Sequence, residues 1–125
     1  MFGAVPDDFD SFSAASQLAQ AEAYKFFIEN ARKRKPEKSG LIWWNLVDGW
    51  PQFADSAADY YYVKKPAFYN IARSQQPFVL LIAENESGLY ELFAVNDTAE
   101  RVSAQYSVSD GDTEEILLKG SVSVN

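Results

Sequence analysis

Residues 40–69 read GLIWWNLVDGWPQFADSAADYYYVKKPAFY, and this stretch decides how the rest of the chain is interpreted. It is richer in aromatic and acidic side chains than a buried core requires. Flat aromatic faces beside carboxylate and amide groups suit sugar rings, because the C–H faces of a sugar stack on aromatic rings while its hydroxyls need polar partners. The stretch therefore predicts a carbohydrate site, and an aromatic core beneath a tight turn is the alternative. It contains Trp43, Trp44, Trp50, Tyr60, Tyr61, Tyr62 and Tyr69.

The composition is that of a folded, acidic chain without cysteine or histidine. It has 125 residues, of which 47% are hydrophobic, and a formal charge of -7. This suits one ordinary domain, or a small domain joined to a piece of a larger one. The missing residue types exclude disulfides, thiolate or imidazole metal ligands and a Ser-His-Asp triad built from these residues. We assign no cofactor and no metal ligand, because no residues have convincing ligand spacing, and the sequence leaves metal dependence open.

Charge and hydropathy argue against nucleic acid and membrane partners. The basic residues 32–35 form only a short run at an expected helix end, where they interact favourably with the helix dipole. The longest apolar run, residues 78–83, is far shorter than the ~20 residues that a membrane-spanning helix needs. The start of the chain is acidic where a signal peptide would be basic. We therefore expect a soluble chain that carries no export signal.

The first part of the sequence predicts an irregular lead-in over residues 1–12, followed by a helix from about residue 13 to residue 34. In the helical part, apolar residues recur every three or four positions, as on one face of a helix. Glu29 precedes Arg32 and Lys33 on the opposite face and predicts a solvated ion pair with no chemical role. The expected apolar face consists of Leu18, Ala21, Tyr24, Phe27 or Ile28, and Ala31.

The central stretch predicts a strand, an ordered loop and a second helix. Residues 41–46 are a short apolar run, as expected for a strand buried on both faces. Trp50 precedes a proline, which favours an extended backbone, so an ordered loop is expected to continue to about Tyr62. Pro66 suits the first turn of a helix, and this helix is expected to end near Gln76.

Beyond residue 77 the hydrophobic period changes to two. Val102, Ala104, Tyr106 and Val108 alternate with polar residues, as in a half-buried strand. Turn signals separate the expected strands. An immunoglobulin-like sandwich has about seven strands, and fewer are expected here. The sheet is therefore expected to be incomplete. The strands are expected near residues 78–83, 89–95, 101–108, 114–118 and 121–124.

Three segments, residues 16–32, 40–51 and 59–69, resemble consecutive segments of glycoside hydrolase family 2. This family includes β-galactosidases, β-mannosidases and β-glucuronidases, and the chain looks most like the β-mannosidase-type branch. Asn45 and Val47 stand where the family often has glutamine and asparagine, which leaves the preferred sugar open. The specific signature, G-x-x-x-W-x-x-x-D-x-W-P, is matched by Gly40, Trp44, Asp48, Trp50 and Pro51.

The resemblance implies an α+β chain made of two parts. Residues 1–76 would be the C-terminal segment of a TIM-barrel catalytic domain, a fragment of a (β/α)8 barrel with its last helices and eighth strand. Residues 77–125 would be a partial β-sandwich domain, the opening of an incomplete antiparallel immunoglobulin-like β-sandwich. A complete barrel takes ~250 residues, so the chain is expected to be a fragment. The family also suggests a periplasmic or extracellular location.

The resemblance further implies roles in substrate binding. Trp44 matches the tryptophan that forms the floor under the sugar in the family, whereas Trp43 would point the opposite way into the core. Asp48 and Trp50 are expected to shape the same rim, with Asp48 accepting hydrogen bonds from sugar hydroxyls or from loop amides. The two catalytic glutamates of the family lie on earlier barrel strands, so no catalytic residue is assigned here. A local pair of Asp48 with Asp59 is disfavoured, because both residues also suit turn positions.

Functions of three classes are consistent with these patterns. The first is a C-terminal fragment of a retaining exo-β-glycosidase that acts on β-linked sugars of mannoside or galactoside type and is inactive in isolation. The second is a non-catalytic carbohydrate-binding module, and in both cases the partner is a β-linked oligosaccharide or glycoside. The third is a structural remnant that self-associates through unpaired edge strands. A coding sequence upstream for the other barrel strands would favour the first.

Overall fold

The chain consists of two compact units, each with its own type of secondary structure. A computed structural model describes residues 3–125. Along the chain, the boundary between the two units falls between Gln76 and Pro77. The first unit contains the helices α1, Phe9–Arg32, and α2, Pro66–Ser74, and the second contains four strands. The predicted α+β class is therefore confirmed. Neither of these helices is both long and apolar enough to cross a membrane.

Helix α1 begins earlier than the sequence predicts. Asp8 is its N-cap, and the carboxylate accepts a hydrogen bond from the amide of Ser11 at 2.9 Å. This bond satisfies a free N–H group of the first turn and lowers the pKa of Asp8. The expected irregular lead-in is therefore wrong for residues 9–12, because aspartate favours helix caps as much as turns. Residues 1–2 of that expectation lie outside the described residues.

The two helices pack together through alanine and isoleucine side chains. Helix α2 begins at Pro66, as predicted, because the fixed φ of proline suits a first helical turn. Leu18 and Phe27 of the predicted α1 face are exposed, whereas its other large members contact the core. The core consists of Ala21, Ile28, Ala57, Ala67 and Ile71, with Tyr24, Leu41, Trp43 and Phe68 packed around it.

The predicted solvated pair of Glu29 and Arg32 is instead part of the contact between the helices. Arg32 is buried, and its Nη1 donates to the carbonyl oxygen of Ser74 at the end of α2. Oε1 of Glu29 lies 3.5 Å from the hydroxyl of the same serine. Burial raises the pKa of Glu29. The two residues tie the C-terminal ends of α1 and α2 together, which is a structural role.

Residues 41–46 do not form the strand buried on both faces that the sequence predicts. Their side chains alternate between partly buried and exposed positions, as along an extended chain. Among residues 3–125, the only bridge next to them joins Val47 to Ala58 in parallel, and the peptide bond between Trp44 and Asn45 is cis. In the described part of the chain no β-strand lies beside residues 41–46, so the segment lacks the partners that a strand buried on both faces needs.

The second unit consists of two antiparallel hairpins. Strand β1, Phe78–Glu84, pairs with β2, Tyr90–Asn96, and strand β3, Val102–Ser109, pairs with β4, Ile116–Val124. Each hairpin is a separate two-stranded sheet. The first three strands agree with the predicted strands to within one or two residues. The prediction of two separate strands at residues 114–118 and 121–124 is wrong, because β4 is one continuous strand.

The continuity of β4 depends on Gly120. This residue lies opposite Tyr106 in the register of β3 and β4. A Cβ atom on Gly120 would lie 2.9 Å from the hydroxyl oxygen of Tyr106 and 3.1 Å from the ring carbon that carries it. The glycine therefore makes room for a cross-strand aromatic ring and does not mark a turn.

The predicted turns between the strands are closed by side chains. Oδ1 of Asn85 accepts hydrogen bonds from the amides of Ser87 at 2.9 Å and Leu89 at 3.0 Å. Oδ1 of Asp110 accepts one from the amide of Thr113 at 2.8 Å, and this bond lowers the pKa of Asp110. Asparagine and aspartate favour turns because they bond the following backbone in this way.

Candidate functional site

The alternation along residues 41–48 sends the two neighbouring tryptophans to opposite sides. Trp43 packs against the helical core, and its ring meets Tyr24 edge-to-face with 5.5 Å between centroids. Trp44 is 74% exposed, and Ile42 and Leu46 at the alternate positions are exposed as well. The core packing expected for Trp43 is thus observed, and the indole of Trp44 is open to solvent.

Two side chains of α1 hold the Trp44 backbone and the following loop. Gln20 and Tyr24 lie one helical turn apart. The hydroxyl of Tyr24 donates to the carbonyl oxygen of Trp44 and lies 3.2 Å from that of Asp55, and Nε2 of Gln20 donates to the Asp55 carbonyl. Burial raises the pKa of Tyr24, so its hydroxyl stays protonated and able to donate near neutral pH.

Backbone hydrogen bonds close the loop that follows Trp44. The amides of Ala57 and Ala58 donate to the carbonyl oxygens of Asn45 and Leu46 at 3.0 and 2.9 Å, and the Asp48 amide donates to the Ala58 carbonyl at 3.2 Å. The chain therefore leaves residue 48, turns, and returns beside its own starting point. Residues 48–58 form a loop with fixed ends.

Asp48 lies beneath this loop. It is only 3% exposed, its Oδ2 is 3.5 Å from Nζ of Lys65, and its Oδ1 accepts a hydrogen bond from Nε2 of Gln52 at 3.4 Å. Hydrogen bonding with Ser56 lowers the pKa of Asp48 most, and the positive charge of Lys65 adds to this against the opposing effect of burial. Asp48 is thus an ionised group with partners from its own loop.

A second turn, at Asp59, carries exposed tyrosines. Oδ1 of Asp59 accepts hydrogen bonds from the amides of Tyr61 and Val63, both at 2.9 Å, so Asp59 occupies the loop-cap position that the sequence suggests. Tyr62 has a φ of 65° and is 77% exposed. A bulky residue rarely adopts positive φ, and such strain often occurs at functional sites. The row of three tyrosines gives no sign of this conformation.

An open groove of about 800 Å³ lies between the first half of α1 and the loop. Phe9 and Phe53 line it, with their rings edge-to-face at 6.2 Å between centroids. Gln17, Gln52 and Asp55 supply polar groups to the same groove. Sequence reasoning missed the contribution of Phe9, because the lead-in was expected to be irregular. The start of the helix at Asp8 was the signal that could have revealed it.

The three residues predicted to bind substrate lie close together in sequence but differ in accessibility. Trp44 and Trp50 are largely exposed, the latter at 64%, whereas Asp48 is buried under the loop. Trp44 and Trp50 present aromatic surface, and Asp48 secures the loop between them. Among residues 3–125 there is no group of three or more acidic side chains placed to hold a metal ion.

β-Mannosidases of known sequence or structure contain segments that resemble this chain. A β-D-mannosidase from Dictyoglomus thermophilum has the same fold over 98% of this chain, with a TM-score of 0.76 and 27% sequence identity. Proteins named β-mannosidase B from Aspergillus flavus and Aspergillus oryzae are each 30% identical over 76 residues, or 58% of this chain. No family profile matches the sequence. These similarities confirm the resemblance to the β-mannosidase-type enzymes of glycoside hydrolase family 2.

The chain corresponds to only a small part of these relatives. It spans 9% of the length of the two Aspergillus proteins and 16% of the Dictyoglomus chain. The names of those proteins describe the activity of much longer chains.

Proposed function

We propose that this chain forms the C-terminal part of the catalytic barrel of a retaining exo-β-glycosidase of mannoside or galactoside type. In this proposal, residues 41–48 occupy the place of the eighth strand and residues 77–125 begin the next β-sandwich. The chain supplies the aromatic wall of the sugar site and does not supply the two glutamates that perform the chemistry. The observation that carries the proposal is the outward, solvent-open indole of Trp44.

The two sides of residues 41–48 suit a strand of a barrel. In a (β/α)8 barrel, side chains of each strand point alternately toward the outer helices and the barrel interior. Here Trp43 and Leu41 pack on the helices, whereas Ile42, Trp44 and Leu46 are exposed on the other side. The exposed side supports the proposal because it is apolar and would face the interior of such a barrel.

The contacts of Asp48 and Asp59 argue against a catalytic role for either carboxylate. Retaining hydrolysis needs two carboxyl groups on either side of the glycosidic bond. Asp48 is already engaged by Lys65 and Gln52, and Asp59 bonds the amides of its own turn. We therefore predict that the isolated chain does not hydrolyse aryl β-mannosides or aryl β-galactosides above background. Turnover that Asp48→Asn abolishes would overturn this assignment.

Sugar binding can be measured on the isolated chain through its three indole N–H signals. We expect methyl β-D-mannoside to shift the NMR signals of Trp44 and Trp50, because their faces are open for stacking. Trp43 is an internal control, because it is packed against Tyr24. The expected affinity is weak, in the millimolar range, since most of the site is supplied by other strands. Equal shifts at all three indoles, or a shift at Trp43 alone, would contradict the proposal.

The same titration distinguishes the barrel proposal from the alternative of a free-standing carbohydrate-binding module. A module that is complete in itself should bind β-linked oligosaccharides more tightly as the chain of sugar units lengthens, since each further unit finds its own contacts. The barrel proposal instead expects the affinity for methyl β-D-mannoside and for β-1,4-mannobiose to be similar. Exo-acting enzymes enclose a terminal sugar, and the walls that would hold a second unit are not built by Trp44 and Trp50 alone.

The strand edges of the second unit support a further proposal, self-association. Each of its sheets has two strands, so every strand has one edge without a ladder partner in its own sheet. Unpaired edges recruit other strands unless they are covered. We expect sedimentation of the isolated chain at high protein concentration to reveal species larger than a monomer. A single monomeric species across the concentration range would count against this.

A further inference from the structure

One ammonium group joins three separate points of the loop that carries Trp50. Nζ of Lys65 donates to the carbonyl oxygen of Ala54 and to the hydroxyl of Ser56, both at 2.9 Å. It also lies 3.5 Å from Oδ2 of Asp48. The first two contacts are hydrogen bonds, whereas the third is an ion-pair contact with a buried carboxylate oxygen that has no hydrogen-bond partner. The side chain of Lys65 is 16% exposed and that of Asp48 only 1%.

The contacts of Lys65 enclose the segment that contains Trp50. Asp48 lies just before this segment and Ala54 just after it, so the single cation fixes both ends. Between them Trp50 is 64% exposed, and Nε2 of Gln52 makes a further bond within the segment at 3.4 Å. A short loop held at both ends offers its exposed ring in few orientations, which reduces the entropy lost when a ligand stacks on it.

We propose that Lys65 is a positioning residue that holds the indole of Trp50 ready to stack on the sugar. The inference rests on the proposed function for the sugar itself, but the clamp is a property of the chain alone. Lys65 does not touch the ligand in this proposal. It acts through Asp48 and Ala54, which place the loop.

The adjacent lysine provides a matched control. Nζ of Lys64 lies 4.6 Å from the centre of the Phe68 ring, whereas the contacts with Ala54, Ser56 and Asp48 are made by Lys65. Lys65 stands at the N-cap of α2 but makes no capping hydrogen bond with its side chain. Replacing Lys65 with methionine therefore removes the clamp without removing a helix cap. Lys64→Met removes the same charge from the neighbouring position.

The test compares Lys65→Met with Lys64→Met by NMR on the full chain, first without sugar. We expect Lys65→Met to increase the fast motion of the Trp50 indole N–H selectively, measured as a lower heteronuclear NOE, while Trp43 and Trp44 keep their values. Lys64→Met should leave all three unchanged. General loss of stability would affect all three indoles together, so a selective change at Trp50 separates positioning from a merely structural role.

The second step adds methyl β-D-mannoside. We expect Lys65→Met to weaken binding by about fivefold or more, because ordering the loop then opposes association, and Lys64→Met to leave it unchanged. If Lys65→Met does not fold, Ser56→Ala removes one anchor of the clamp and should produce the same selective loosening. An unchanged Trp50 indole in the folded variants would overturn the inference. A loosened Trp50 in a chain whose indoles never respond to the sugar would instead overturn the proposed function.

Discussion

The opposite orientations of Trp43 and Trp44 predict very different effects when each is replaced by alanine. Trp43→Ala removes a ring that packs on the helical core and meets Tyr24 edge-to-face. Trp44→Ala removes a ring that is 74% exposed. We expect the first change to lower the free energy of unfolding of the first unit strongly and the second to lower it little.

The size of the difference follows from the buried apolar area. A tryptophan side chain buries roughly 150–250 Å² when enclosed, and each Å² contributes about 25 cal/mol. The covered quarter of Trp44 is therefore worth roughly 1 kcal/mol. Trp43 is partly buried and adds an aromatic pair, which together are worth about 3–4 kcal/mol. The expected difference between the two variants is about 2–3 kcal/mol.

Urea unfolding followed by far-UV circular dichroism measures this difference without relying on the tryptophan signal that each variant loses. If Trp43→Ala prevents folding, Trp43→Phe keeps part of the packing and should cost less than the alanine variant but more than Trp44→Ala. Equal destabilisation by Trp43→Ala and Trp44→Ala would refute the reasoning, because the alternation along residues 41–48 would then be wrong.

Three further changes test other parts of the structure. Because hydrogen bonding with Ser56 holds the pKa of Asp48 below its usual value of 3.8, this aspartate stabilises the fold above that pH, and its contribution is lost as the pH falls through the lower, folded-state pKa. Asp48→Asn should flatten this acid-side dependence in urea unfolding, and an unchanged profile would contradict the assignment. Tyr62→Gly should raise the unfolding free energy by up to about 1 kcal/mol, because glycine adopts positive φ without strain, whereas a loss in urea unfolding would mean that the ring makes a needed contact. Gly120→Ala should lower the stability of the second unit by about 1–3 kcal/mol and shift the Tyr106 ring signals in NMR, since the added methyl group meets that ring; unshifted signals would contradict this.

Local signals in the sequence predicted the helices and turns well. Pro66 and the period of the apolar residues located the two helices, and Asn85 and Asp110 located two turns by their preference for bonding the next amides. The start of α1 was missed, because an aspartate that caps a helix is indistinguishable by type from one that forms a turn.

Features that depend on distant partners were not predictable. Residues 41–46 have the composition of a strand buried on both faces. Whether they form one depends on neighbouring strands. In the described part of the chain the nearest bridge is at Val47, just after this segment. Arg32 was expected in solvent, yet its partner Ser74 lies on the other helix.

The candidate site was predictable in part for the same reason. The signature singled out Trp44, Asp48 and Trp50 as binding residues, and this stays a prediction. Alternation along the segment correctly placed Trp43 in the core. The contact of buried Asp48 with Lys65 could not be foreseen, because Lys65 lies beyond the loop of residues 48–58, whose path the sequence does not specify.

The most direct test of the account is to build this chain into a complete relative. A hybrid of the Dictyoglomus thermophilum β-D-mannosidase would carry residues 1–125 in place of its matching segment, and hydrolysis of an aryl β-mannoside would be measured. Trp44→Ala and Tyr90→Ala remove aromatic rings of nearly equal exposure, 74% and 76%, from different units. The account predicts that Trp44→Ala lowers kcat/KM by roughly 100-fold or more while Tyr90→Ala leaves it unchanged. An active hybrid in which both variants retain full kcat/KM would contradict a sugar-facing Trp44.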